Sequence, residues 1–182
     1  ADSWDLARTV IERDIALAMI AARIIQPGSK LETTRAWKTT SLPTELGVAD
    51  AEEDDLYDAM DCRLARQPDI EKKLAARHLK PGGLVLYDLT STWVEGKACP
   101  LASFGYSRDG KRGKLQINFG LLTDDEGRPI TTTVYAGNTA DPTTVQEQVA
   151  KLKAQYKLDH VIFVGDRGMV TETQIDRFLE QG

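Results

Sequence analysis

Apolar residues recur at two different periods along this 182-residue chain, and the change comes near residue 80. Before it the spacing is helical. In WDLARTVIERDIALAMIAARII, Leu6, Val10, Ile11, Ile15, Leu17, Ala18, Ala21 and Ile24 fall near 3.6-residue intervals, and Gln26-Pro27-Gly28 stops the run. Ser29 with Glu32 is a capping box that predicts a second helix. SLPTELGV reads as a connector. DAEEDDLYDAMDCRLARQ follows, with Leu56, Tyr57, Met60 and Leu64 as its apolar stripe. Its acidic start suits the positive end of a helix and needs no metal. Pro68 is expected to break the chain, and DIEKKLAARHL to form a short last helix carrying a lone His78 at its end.

After residue 80 the pattern turns strand-like. Leu84, Val85, Leu86 and Tyr87 read as a buried strand that ends on Asp88. LQINFGLLT alternates, with Leu115, Ile117, Phe119 and Leu121 on one face, and DDEGRP is a turn into the β-branched run ITTTVYAG. Two runs so closely joined predict an antiparallel hairpin. ADPTTVQEQVAKLKAQY predicts a helix with Asp141 as N-cap and Pro142 at its first position. HVIFVGD is a further short strand, and TETQIDRFLEQ opens a final helix. The expected organisation is a helical region over 1–80 and an α/β region over 81–182 with element order β-β-β-α-β-α. A right-handed crossover lets the last strand lie parallel to the first, giving a mixed sheet in the order 3-2-1-4.

Composition changes little in this picture. The apolar and charged fractions are those of an ordinary globular protein, and no apolar run approaches a membrane span. Cys62 and Cys99 have no metal-ligand spacing and read as free thiols. A net charge of −5 leaves no global footprint of nucleic-acid binding, so any such function rests on local patches.

The chemistry concentrates at two aspartates. If HVIFVGD pairs beside the strand at 84–89, Asp88 and Asp166 meet near one end of neighbouring strands. Two carboxylates there repel, unless a divalent cation that prefers hard oxygen ligands lies between them. Two ions ~3.5–4 Å apart are what two-metal phosphoryl transfer uses. Asp88 has an alternative role, capping a turn through Thr90 or Thr92. Asp166 could cap the final helix, but Thr171 with Gln174 already supplies a capping box there. The capping role of Asp141 accounts for it.

Four stretches, YDLTSTWVEG, GYSRDGKRGKLQINFGLLTD, GNTADPTT and VIFVGDRGM, together resemble bacterial insertion-sequence transposases of the DDE class. The resemblance implies an RNase H-like catalytic core, incomplete at its C-terminus, Mg²⁺ or Mn²⁺ as cofactor, and cleavage and transfer of DNA strands. Transposon ends and target DNA are then the partners, with a homodimer as the full-length form and a cytoplasmic, nucleoid-associated location. By the motif match Asp88 is the first catalytic, metal-binding carboxylate and Asp166 the second. The third, a glutamate on a downstream helix, is expected beyond Gly182. Glu172 and Glu180 come too soon, and Glu95 lies in the wrong element. On that reading the chain is part of a longer protein, inactive by itself, and a chain extended through the missing helix should cut DNA.

SRDGKRGK sets Arg108, Lys111, Arg112 and Lys114 against Asp109, a local +3. It reads either as a solvated loop tip or as a DNA-binding segment, and a carboxylate site acting on DNA favours phosphate contact. Arg167, beside Asp166, either orients the scissile phosphate or braces Asp166. Trp93 and Tyr106 either stack on an unpaired base or pack against the protein. Two rival functions remain. An aspartate-nucleophile phosphatase would need a second Asp two residues after Asp88 and a parallel sheet. A non-catalytic DNA-binding or assembly protein would show no manganese response at Asp88.

Overall fold

The computed structural model describes residues 3–96, 98–106, 110, 113–158, 160–166 and 168–169. The chain divides into two compact units, Ala1–Pro68 and Asp69–Gly182, with the division falling inside a helix.

The first unit is helical. Helix α1 spans Ser3–Ile25, α2 Lys30–Trp37 and α3 Leu42–Glu45, and α4 begins at Glu53 and runs to His78. Ser29 caps α2 as its spacing predicts, its hydroxyl accepting the Glu32 N–H at 3.1 Å. SLPTELGV, expected to be a plain connector, winds into the single turn of α3 behind a proline in its first turn. The acidic cluster is a helix start: Glu53, Asp54 and Asp55 occupy the first turn of α4, and Asp55 accepts the Glu52 N–H at 2.8 Å. Ile15, Ala18, Trp37, Val48, Leu56 and Ala59 form the core. The expected apolar stripes enter it only in part, because Val10, Leu17 and Ile24 of α1 and Tyr57, Met60 and Leu64 of α4 remain exposed. The Cys62 thiol, hydrogen-bonded to Glu12 of α1 and partly desolvated, is pushed above its ordinary range. Both cysteines are free thiols.

Pro68 does not break the chain. Helix α4 continues through it to His78. The proline deletes one donor, the N–H that would reach back to the carbonyl of Leu64, but the turns on either side persist. Downstream, Glu71 and Ala75 of α4 and then Leu79 are buried in the second unit, which holds this stretch helical.

The second unit is α/β. Strands β1 (Leu84–Trp93), β2 (Gln116–Asp124) and β3 (Pro129–Ala136) form an antiparallel meander. Helix α5 (Asp141–Ala154) then leads to β4 (Ile162–Val164), which lies parallel to β1. The sheet order is β3-β2-β1-β4, as the pattern predicts. The expected final helix lies outside the described residues. Helix α5 starts at Asp141 with Ala140 in the cap position, one residue earlier than expected, so Asp141 opens the first turn instead of preceding it.

One face of the sheet is buried. Val85, Tyr87 and Leu89 of β1 pack with Leu122, Ile130 and Tyr135 of the meander and with Val145 and Leu152 of α5. The opposite face is more open, and this corrects two expectations. Asp88 is exposed and not sunk in a buried strand, because β1 alternates and only its odd-numbered positions face that core. In β2 the apolar set Ile117, Phe119 and Leu121 is the less buried one, whereas Gln116 and Asn118 are almost fully buried. Their amides are satisfied by carbonyls of the following loops: Gln116 donates to Gly137 O at 3.0 Å, and Asn118 to Thr139 O at 3.4 Å.

Candidate functional site

Parallel pairing of β1 with β4 aligns Leu84 with Ile162, Val85 with Phe163 and Leu86 with Val164. Two residues further along each strand stand Asp88 and Asp166. The chains stay adjacent past the last paired residues, since a Cβ placed on Gly165 would lie 3.5 Å from the Tyr87 carbonyl oxygen. Continuing the register would set Asp166, just past the end of β4, opposite Asp88 at the ~4.8 Å spacing usual for neighbouring strands; β1 does not end on Asp88 as expected but runs on to Trp93. Both are exposed.

Each aspartate is anchored through its backbone. Asp88 lies between Tyr87 and Leu89, both buried, and its Oδ1 accepts the Leu89 N–H at 2.9 Å. Oδ2 stays available for a ligand. The Tyr87 ring tilts against Phe163 of β4 at 5.8 Å and crosses Gly120 on β2, where no side chain has room. Burial pushes the Tyr87 phenol well above its ordinary range, so it is neutral and contributes no charge beneath the site. Asp166 is followed by a turn, its carbonyl accepting the Met169 N–H at 2.9 Å, and the Met169 side chain is buried in the core.

The donor set suits a hard divalent cation: two exposed carboxylates, one with an oxygen already oriented by a backbone N–H. Among the described residues no group of three or more His, Cys, Asp and Glu side chains is placed to hold a metal.

Of the five cations singled out in the sequence, Lys114 is described and Arg108, Lys111, Arg112 and Arg167 lie outside the described residues. Lys114 Nζ sits 5.9 Å from the Trp93 ring centroid and 3.9 Å from Glu95. Both side chains of that ion pair are largely exposed, so it leaves Lys114 able to exchange partners at small cost. An open cleft of about 430 Å³ lies away from the aspartates, at the start of β1, between Arg77, His78 and Lys80 on one side and Asp125, Glu126 and Arg128 on the other. Its charges are mixed, three cations against two carboxylates, and the two aspartates carry the stronger chemical argument.

No family model and no curated protein matches the chain. Among solved structures it is similar to the Mos1 strand transfer complex, with 12% identity and a TM-score of 0.36. That alignment covers 92% of this chain and 56% of the other. The chain thus spans little more than half the length of that protein.

Sequence reasoning did not find Gln116, the residue that organises the loop after β1. Its side chain donates to Tyr106 O at 2.8 Å as well as to Gly137 O. Polar residues at the alternate positions 116 and 118 of β2 signal a solvent-facing row, and these amides instead face the protein interior.

Proposed function

We propose that the protein is a DNA transposase of the DDE class, performing metal-dependent cleavage and transfer of DNA strands with Mg²⁺ or Mn²⁺ held by Asp88 and Asp166. The observation that supports this reading is the parallel register of β1 and β4, whose continuation by two residues would bring the exposed Asp88 and Asp166 to neighbouring positions. Two exposed carboxylates at neighbouring strands are an arrangement that a shared hard divalent cation would stabilise. When bound, such ions supply activation of the attacking oxygen and stabilisation of the leaving one. The chain itself supplies the orientation. The Leu89 N–H fixes Asp88, the Tyr87 ring ties β1 to β2 and β4, and the basic segment after Tyr106 attracts the DNA backbone. The sequence resemblance supports a DNA substrate and transposon ends as the partner.

Manganese titration followed by thermal unfolding tests the reading. With two protein carboxylates, binding is expected to be weak, since Mg²⁺ and its analogues keep several waters. The melting temperature should rise with millimolar Mn²⁺, and Asp88→Asn and Asp166→Asn should each abolish the rise. Tight zinc binding without any manganese response would exclude the site, and an unchanged response in both variants would favour a non-catalytic DNA-binding protein.

A further inference from the structure

We propose that Phe104 and Tyr106, together with Trp93 and Lys114, form a stacking platform for unpaired nucleotide bases. The proposal rests on the DNA-processing reading and adds a recognition site to it.

The loop that carries the two aromatics is held by Gln116. Its backbone pairs with Trp93 of β1 on one side and with Ser103 on the other, where Ser103 N–H donates to Gln116 O at 3.1 Å and Gln116 N–H returns to Ser103 O at 3.0 Å. The Gln116 side chain then donates to the Tyr106 carbonyl at 2.8 Å. Between the aromatics, Gly105 presses against the Gly137 carbonyl, where any Cβ would clash. Because the backbone at residue 105 turns inward, the flanking side chains are turned out: Phe104 is 67% exposed and Tyr106 81%. A single exposed aromatic needs no explanation. Two of them on a backbone pinned from both sides are pre-organised, and so lose little entropy on binding.

Charge identifies the occupant. The segment that follows Tyr106 carries Arg108, Lys111, Arg112 and Lys114 against Asp109, in a chain whose net charge is −5. Lys114 already lies over the Trp93 ring. Aromatic faces followed in the sequence by an excess of cations match the two halves of a nucleotide, a flat base and a phosphate. Trp93 is five residues beyond Asp88 on β1, or ~17 Å at ~3.3 Å per residue.

Fluorescence anisotropy with the whole chain tests this, using a labelled 12-nucleotide single strand, its duplex, and a single strand with abasic positions. Phe104→Ala combined with Tyr106→Ala should weaken single-strand binding about ten-fold or more while leaving duplex binding unchanged. The wild-type protein should bind the abasic strand as weakly as the double variant binds the intact one. Tyr106→Phe, which keeps the ring, should bind the single strand normally. The substituted side chains are exposed and Gln116 grips the main chain of residue 106, so the fold is unaffected. A double variant that binds the single strand like wild type, or an abasic strand that binds like an intact one, overturns the platform alone. If the double variant instead loses self-association with single-strand binding unchanged, the aromatics belong to a contact between copies and the platform is overturned. A wild-type protein that binds no DNA in any form overturns the functional reading and the platform with it.

Discussion

Gly120 is where the strand bearing Asp88 depends most on a single residue. Its Cα faces the Tyr87 ring, and an added Cβ would sit 2.9 Å from the ring's Cε2 and Cζ atoms. Gly120→Ala should therefore cost ~1–3 kcal/mol through overpacking, measured by chemical denaturation. In a Tyr87→Leu background the added cost should shrink, because the two sites share one contact. Asp124 closes the β2–β3 turn in a similar position of responsibility. Burial opposes its ionisation, but the Arg128 N–H at 2.9 Å, the Arg128 guanidinium at 2.6 Å and the Glu126 N–H at 3.0 Å outweigh that and hold the carboxyl below the usual range. A lowered folded-state pKa gives stability that is present above the unfolded value of ~3.9 and lost as pH falls through the folded one. Asp124→Ala should cost on the order of 1–3 kcal/mol at pH 7, and the difference from wild type should narrow below about pH 4. Asp88 and Asp166 were conspicuous in the sequence because each carboxylate follows an apolar run, and their role is the proposal argued above. Gln116 and Asn118 were not, because an alternating polar row looks the same whether it meets water or loop carbonyls.

At the scale of elements, the strong periodic segments were legible: α1, the β2–β3 hairpin, α5 and the order of strands. What failed to show in the pattern was tertiary override. Pro68 reads locally as a stop, yet α4 runs through it because buried contacts await the residues beyond. Chief among these is Glu71, whose Oε2 meets Lys151 Nζ at 2.6 Å and whose Oε1 accepts from Thr131 Oγ1 at 2.6 Å. Tyr156 donates to the same carboxylate at 3.3 Å, and burial followed by that negative charge pushes its phenol pKa up, so it stays neutral. This network ties α4 to β3 and α5 from positions 60 and 80 residues apart in sequence, which no local window can read. Removing one partner of a buried pair leaves the other charge uncompensated, so Glu71→Ala should cost ~3–5 kcal/mol in denaturant unfolding. Glu71→Leu with Lys151→Met should recover much of that loss, since an apolar pair of similar volume avoids the desolvation penalty.

For the whole molecule the balance of charge decides how DNA can be approached. A net charge of −5 repels a polyanion at long range, while residues 107–114 concentrate four cations against one aspartate. On the proposed function, DNA binding would then be local, and salt would report it directly, because each phosphate neutralised releases counterions and steepens the fall of log K with log salt by ~0.9 on duplex DNA. Neutralising Lys111, Arg112 and Lys114 to Gln should flatten that slope by up to ~2.7 and weaken binding at 50 mM salt far more than at 200 mM. The loss should be nearly equal for unrelated sequences, since phosphate contacts position the DNA without reading it. Thermal unfolding of the triple variant should match wild type, because the one described member, Lys114, is exposed and its ion pair with Glu95 is weak. An unchanged slope would mean that the segment is a solvated tip and that the cations holding DNA lie elsewhere, with Arg167 beside Asp166 the first to replace.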